Sequence, residues 1–174
     1  ACNGGGRRRK KRKMEVNMPA GVESGSRIRL VGEGAVGQNG SSNGDLYLFV
    51  TMLDHSIFER DGVEIFCSVP ISIVDAALGG SVEVPTVSGG RVKVKVPPGS
   101  QNGDQFRLNG KGMPALRSTS FGDMIITIIV EIPKNLSENQ KKLLKEFNEE
   151  LDQKNSPESS GFFSKVKDFW DGLA

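Results

Sequence analysis

The chain has 174 residues, 36% hydrophobic and 25% charged, which is room for one ordinary domain or two small ones with modest cores. Its 22 glycines and 8 prolines mark many short elements and speak against a helical bundle. The net charge of +2 hides an asymmetry, because seven consecutive bases, Arg7 to Lys13, sit on a body with an excess of five acids. The longest apolar stretch, Met124 to Ile132, carries Thr127 and Glu131 and falls well short of the roughly 20 residues that a membrane span needs. No apolar segment follows the basic run, so we expect no signal peptide. Two cysteines make neither a disulfide framework nor a four-ligand zinc site.

The basic run comes first in the chain. A basic arm on an acidic body is one layout for nucleic-acid contact, but the body adds no aromatic platform or second basic patch. After it the sequence repeats itself at an offset of 78. Across residues 13–53 and 91–131 eleven positions are identical, five of them glycine, with no gap. Met14, Val16 and Met18 alternate with polar residues, as do Val92, Val94 and Val96, and each set predicts a half-buried strand. Pro19 and Pro97 end these strands, since proline cannot donate to a ladder. Short strands are expected at Arg27–Leu30 and Gln105–Leu108. Longer ones follow each Gly-Asp, at Leu46–Leu53 and Met124–Ile132, apolar on both faces as central strands are.

Between the repeats, Val63, Ile65, Cys67 and Val69 alternate and predict another strand. Ser72–Leu78 reads as one or two helical turns stopped by Gly79-Gly80. Val82–Val84 and Arg91–Val96 pair as a hairpin around Ser88-Gly89-Gly90. Beyond the second repeat, Ser137 with Gln140 forms a capping-box pattern. Leu143, Leu144, Phe147 and Leu151 then fall at helical spacing. A polar linker over 154–161 precedes a second stripe of Phe162, Phe163, Val166, Phe169, Trp170 and Leu173. Helices this short need a surface to dock on.

No catalytic constellation emerges, and we expect no enzymatic activity. His55 is the only histidine, without a serine or cysteine at a motif spacing, and reads as a turn residue. None of the glycine-rich segments fits a phosphate-binding motif, since Gly32-x-Gly34 and Gly110-x-Gly112 precede loops and not helices. Cys67 lies on an apolar strand face as a buried, reduced thiol, which suits the cytoplasm. Cys2 opens the string Cys2-Asn3-Gly4-Gly5-Gly6, and one cysteine cannot hold zinc.

Taken in order, several strings resemble one family. They are Pro19-x-Gly21-x-x-x-Gly25, Arg29-Leu30-x-Gly32-x-Gly34, Gly44-Asp45-Leu46, His55-x-x-Phe58-x-Arg60-x-Gly62, Val69-Pro70-Ile71-Ser72, Ala76-Ala77-Leu78-Gly79, Pro97-x-Gly99-x-x-x-Gly103 and Gly112-Met113-Pro114. Together they are similar to the C-terminal substrate-binding region of the bacterial DnaJ co-chaperones, from Cys2 to about Leu151. The closing Gly161-Phe162-Phe163-x-Lys165-Val166-Lys167 is similar to bacterial members too. The family also has a J domain with a His-Pro-Asp tripeptide, whereas Ser56 follows His55 here. It has zinc modules as well, and Cys2–Gly6 resembles the tail of the last one. The resemblance therefore implies a fragment in which Cys2 is an orphan zinc ligand and no cofactor is bound, zinc belonging to the full-length family.

The expected fold is mainly β: two tandem small sandwich- or barrel-like β-domains of similar topology plus a C-terminal helix. Residues 1–13 would be a zinc-module remnant and basic linker, 14–62 the first β-domain, 63–134 the second, and 135–174 a helical dimerisation segment and tail. The resemblance implies a client-binding groove at Met14, Val16, Leu46 and Leu48, which takes an extended segment beside a strand. It implies dimerisation through Leu143, Leu144, Phe147, Leu151, Phe162, Phe163, Phe169 and Trp170. The partners it implies are unfolded polypeptide clients, a seventy-kilodalton heat-shock chaperone and a second copy of the chain, with neither membrane nor nucleic acid among them. The alternative is a nucleic-acid-binding protein acting through Arg7–Lys13.

Overall fold

The computed structural model describes residues 11–37, 41–152 and 154–171. The chain divides into two compact units, Ala1–Glu131 and Ile132–Ala174.

The first unit is built of strands. β1 (Arg27–Leu30) and β2 (Leu46–Phe49) pair antiparallel in a two-stranded sheet, with Ile28 opposite Leu48 and Leu30 opposite Leu46. β3 (Phe58–Asp61), β4 (Glu64–Ser72), β7 (Gln105–Leu108) and β8 (Met124–Glu131) form a four-stranded sheet in the order β3-β4-β8-β7. β4 and β8 run parallel from Ile65–Met124 to Ser72–Glu131. Helix α1 (Ile73–Leu78) follows β4, and β5 (Gly80–Pro85) pairs with β6 (Arg91–Val96) as the expected hairpin.

One hydrophobic core holds this unit. Ile65, Cys67, Val69 and Ile71 from β4 meet Met124, Ile126 and Ile128 from β8, and Val84, Val94 and Val96 from the hairpin join them. Met124, Ile126 and Ile128 are fully buried, each worth about 1.5–3 kcal/mol of removed apolar surface. These three share one face of β8; on the other, Ile125 is buried but Ile129 is 41% exposed, so the apolar run of Met124–Glu131 is sealed on one side and only in part on the other. Ser72 caps α1 by accepting a 3.0 Å bond from the Asp75 amide, and Gly79 ends it at φ 80°.

The repeat survives down to single hydrogen bonds. Asp45 accepts from the Arg29 Nε at 2.6 Å and from the Gly32 amide at 2.9 Å. Seventy-eight residues on, Asp123 accepts from Arg107 Nη1 at 2.8 Å and from the Gly110 amide at 2.9 Å. The Gly34 amide reaches the Gly44 carbonyl at 2.7 Å, and the Gly112 amide reaches that of Gly122 at 2.8 Å. Ser24 Oγ accepts from the Met52 amide as Asn102 Oδ1 accepts from that of Val130. In each copy a carboxylate fastens the glycine loop to the strand that follows it.

The copies differ in what surrounds them. No hydrophobic side chain before Ile65 is buried among the described residues. β2 ends at Phe49 and is not the central strand expected over Leu46–Leu53, because among the described residues only β1 pairs with it, whereas its counterpart β8 is held on both edges. The strand expected over Met14–Met18 is absent: Met14 and Val16 are half-buried in irregular chain, and Met18 is exposed. Its counterpart β6 needs β5 as a partner, and the same offset from β5 falls on the glycine-rich 2–7, outside the described residues. Gly62 and Val63, the expected junction of the two β-domains, form instead the turn of the β3–β4 hairpin. Phe58–Asp61 therefore belongs to the four-stranded sheet.

The second unit holds α2 (Glu138–Glu150) and α3 (Pro157–Asp171). The capping box forms, with Ser137 and Gln140 each satisfying the other's backbone amide. α2 has no buried residue, and Leu151 is its C-cap. α3 begins at Pro157, inside the expected 154–161 linker, where a first-turn proline costs no hydrogen bond.

Two outcomes follow from this geometry. The two bonds that Asp45 and Asp123 accept, first from a glycine amide and then from an arginine, hold both carboxyls below the usual carboxylate range. Their stabilising contribution is therefore complete at neutral pH and is lost as pH falls into and below the ordinary carboxylate range. Asp45→Asn with Asp123→Asn should lower Tm at pH 7 and flatten its acid dependence, read by circular dichroism melts from pH 7 to 3. Gly21, at φ 82°, faces the Pro114 carbonyl so closely that a Cβ would collide with it. Gly21→Ala should cost about 1–3 kcal/mol in urea unfolding, whereas Gly25→Ala, equally left-handed but in open space, should cost less.

Candidate functional site

β1 and β2 place Ile28, Leu30, Leu46 and Leu48 on one face, because directly opposed residues of an antiparallel pair share a side. All four are half-buried. In the second copy the same positions are Phe106, Leu108, Met124 and Ile126, where Met124 and Ile126 are fully covered. The covering there includes Val94, with Val92 packed against the core. Met14 and Val16 stand at the offset of Val92 and Val94, and they too are half-buried. One apolar face thus occurs twice, closed in the second copy and part-open in the first.

The other face of β2 carries Tyr47 and Phe49, which are 51% and 71% exposed. Neither is among the groove residues that the sequence implies, although the both-sided apolar run Leu46–Val50 holds the signal. No strand pairs with the second edge of β2 among the described residues. An edge with apolar side chains on both faces can take an added strand, whose backbone bonds ignore sequence while the face selects apolar side chains.

Arg60, which in the sequence stands out only within the string His55-x-x-Phe58-x-Arg60-x-Gly62, is a hub in the structure. Its Nε donates to the Gly62 carbonyl at 2.7 Å, Nη1 to that of Val22 at 2.9 Å and Nη2 to that of Gly21 at 3.2 Å. One planar guanidinium so ties the turn of the first repeat to the edge of the four-stranded sheet. His55 is the turn residue expected: its Nδ1 accepts from the amides of Ile57 and Phe58, and its ring stacks on Phe58 at 5.1 Å.

The remaining candidates lie apart from this face. Burial raises the pKa of the Cys67 thiol, so it stays protonated within β4. Among the described residues no group of three or more His, Cys, Asp or Glu could hold a metal, so they do not fit a zinc site; Cys2 lies outside them. Of the basic run, Arg7–Lys10 lie outside the described residues, and Arg12 pairs with Glu33 at 2.8 Å. On α2, Leu143, Leu144 and Phe147 are exposed and Leu151 is half-buried; on α3, Phe162, Phe163, Phe169 and Trp170 are exposed. Phe162 and Phe163 meet edge to face at 5.5 Å. Leu173 lies outside the described residues. No helix among the described residues is long and apolar enough to cross a membrane.

Comparison with known proteins gives this arrangement its relatives. Residues 5–133 match the family described as the DnaJ C terminal domain, and residues 139–172 match the Chaperone protein DnaJ C-terminal region. The chain is 59% identical over 172 residues to the Chaperone protein DnaJ of Rhodobacter capsulatus. It is 58% identical over 172 residues to that of Cereibacter sphaeroides strain KD131, and 56% over 170 to that of Jannaschia sp. strain CCS1. These alignments cover 98–99% of this chain and 44–45% of the relatives, so the chain spans less than half of their length. With its repeated β-unit and most of its length inside that match, the chain belongs to the DnaJ C-terminal domain family.

Proposed function

We propose that this chain binds unfolded or misfolded polypeptide segments, as the substrate-binding region of a DnaJ-type co-chaperone that passes clients to a seventy-kilodalton heat-shock chaperone in the cytoplasm. It is a binding module and not an enzyme, and it uses no cofactor of its own. The observation that carries this reading is the part-open apolar face of β1 and β2 beside an unpaired β2 edge. Its second-copy counterpart is closed by core packing. An extended segment would add along β2 and set an apolar side chain against Leu46 and Leu48, with Met14 and Val16 as further walls. Methionine suits varied clients, because its unbranched thioether adapts to different shapes.

A homodimer would present two such grooves on one particle, and weak grooves gain from being linked. The exposed stripes Leu143, Leu144, Phe147 and Phe162, Phe163, Phe169, Trp170 are the surfaces we assign to it, with Leu151 at the C-cap of α2.

Two measurements test the parts separately. Leu48→Asp or Met14→Asp should weaken binding of a reduced, alkylated protein by about tenfold or more, roughly 1.4 kcal/mol, with an unchanged melting curve. Binding unaffected by either substitution would remove the groove. Leu144→Asp with Phe147→Asp should convert a dimer into a monomer by light scattering, and an unchanged dimer mass would place the interface elsewhere.

A further inference from the structure

A second apolar hollow lies away from the β1–β2 face. It is an open cleft of about 910 Å³ between the segment that leaves the first repeat and the four-stranded sheet, lined by Met52, Leu53, Phe58, Ile65, Val87 and Met113. Leu53 is 88% exposed, and Met52 and Val87 are about 40% exposed. So much large apolar surface left in water at one place is the mark of a contact surface. The volume matches that of ligand clefts, and two methionines among the walls make them adaptable.

Three further features narrow the occupant. First, Glu23, Asp54 and Glu59 line the same cleft. The one Lys or Arg in the lining, Arg60, is only 15% exposed at its side chain and is spent on three backbone carbonyls, with Glu23 at 3.9 Å. His55 Nδ1 is likewise taken by two backbone amides. The rim therefore offers carboxylates with little cationic compensation. Second, β3, which supplies Phe58, Glu59 and Arg60 to the lining, is the edge strand of its sheet among the described residues, so an extended backbone can pair beside the cleft. Third, the sheet and the Arg60 bonds hold the walls from both sides, so the cleft exists before anything enters it.

We propose that this cleft is a second polypeptide site, which takes an extended segment carrying a bulky apolar side chain next to a lysine or arginine. It rests on the reading of the chain as a polypeptide binder, but it uses other residues than the β2 groove and adds a charge preference. The apolar side chain fills the hollow between Met52, Val87 and Met113. The neighbouring cation meets Asp54 and Glu59, and Lys-poor, acid-flanked segments are turned away by the same carboxylates.

The test uses the whole chain and two fluorescein-labelled nonapeptides with a Leu-Phe-Leu centre, one flanked by lysines and its twin by glutamates. Fluorescence anisotropy at low salt should show the lysine peptide binding at least about tenfold tighter, although the chain itself has a net charge of +2. The gap should shrink at 0.5 M salt, where the Debye length falls to about 4 Å. Asp54→Lys with Glu59→Lys should level or invert the preference, and Leu53→Ser with Val87→Ser should weaken the lysine peptide. In the unaltered chain, a benzophenone replacing the central phenylalanine should cross-link to Met52 or Met113. A preference that charge reversal leaves unmoved, or cross-links confined to other regions, would overturn the proposal.

The β2 groove stands or falls separately. If Leu48→Asp abolishes unfolded-protein binding while the cleft variants change nothing, only the cleft is lost. If the cleft variants act and Leu48→Asp does not, only the β2 groove is lost. Binding of neither peptide nor unfolded protein removes both.

Discussion

The eight-residue parallel ladder between β4 and β8 is the constraint on which the first unit rests. Its inner face, Ile65, Cys67, Val69 and Ile71 with Met124, Ile126 and Ile128, packs against Val84, Val94 and Val96 of the β5–β6 hairpin and Ala76 of α1, whereas Ser68, Pro70 and Ile129 leave the outer face largely open. β7 and β3 are added to its outer edges, and through β3 the Arg60 guanidinium fastens the first repeat. Removing volume at Met124, Ile126 or Ile128 would therefore strike all of these attachments at once, at the cost of about 2–5 kcal/mol usual for a large side chain cut to alanine.

The two repeats separate local structure from packing. The carboxylate clasp of Asp45 or Asp123, the glycine turns and the short antiparallel pair recur with the same partners. They need only a few nearby residues. Burial does not recur, because it needs neighbours contributed from elsewhere. The same apolar sequence pattern thus yields sealed core in one copy and accessible surface in the other, and a greasy furrow arises from what a strand lacks beside it.

This division also explains what could be read in advance. The repeat, β4, the hairpin, the capped α1 and the capping box of α2 are written in periodicity and in cap residues, which act over a few positions. The strand expected at Met14–Met18 and the long strand at Leu46–Leu53 were not formed, since a ladder is decided by a partner and not by alternation. β3 carries no such pattern, because Phe58-Glu59-Arg60-Asp61 is charged at three of four positions, as an edge strand is allowed to be. Arg60's three carbonyl bonds span up to 39 positions and leave no local trace. Leu46 and Leu48 are reached through the family resemblance and not through their apolar run alone, while the exposure of Tyr47 and Phe49 depends on an edge of β2 left unpaired among the described residues.

α2 is closed at its start by a reciprocal pair of side-chain bonds, and it owes no turn to a buried side chain. A helix of thirteen residues is marginal in water on its own, and the lid steadies only its first turn. Covering Leu143, Leu144 and Phe147 would supply what the winding lacks, so that shielding this ridge and completing the coil would be one event.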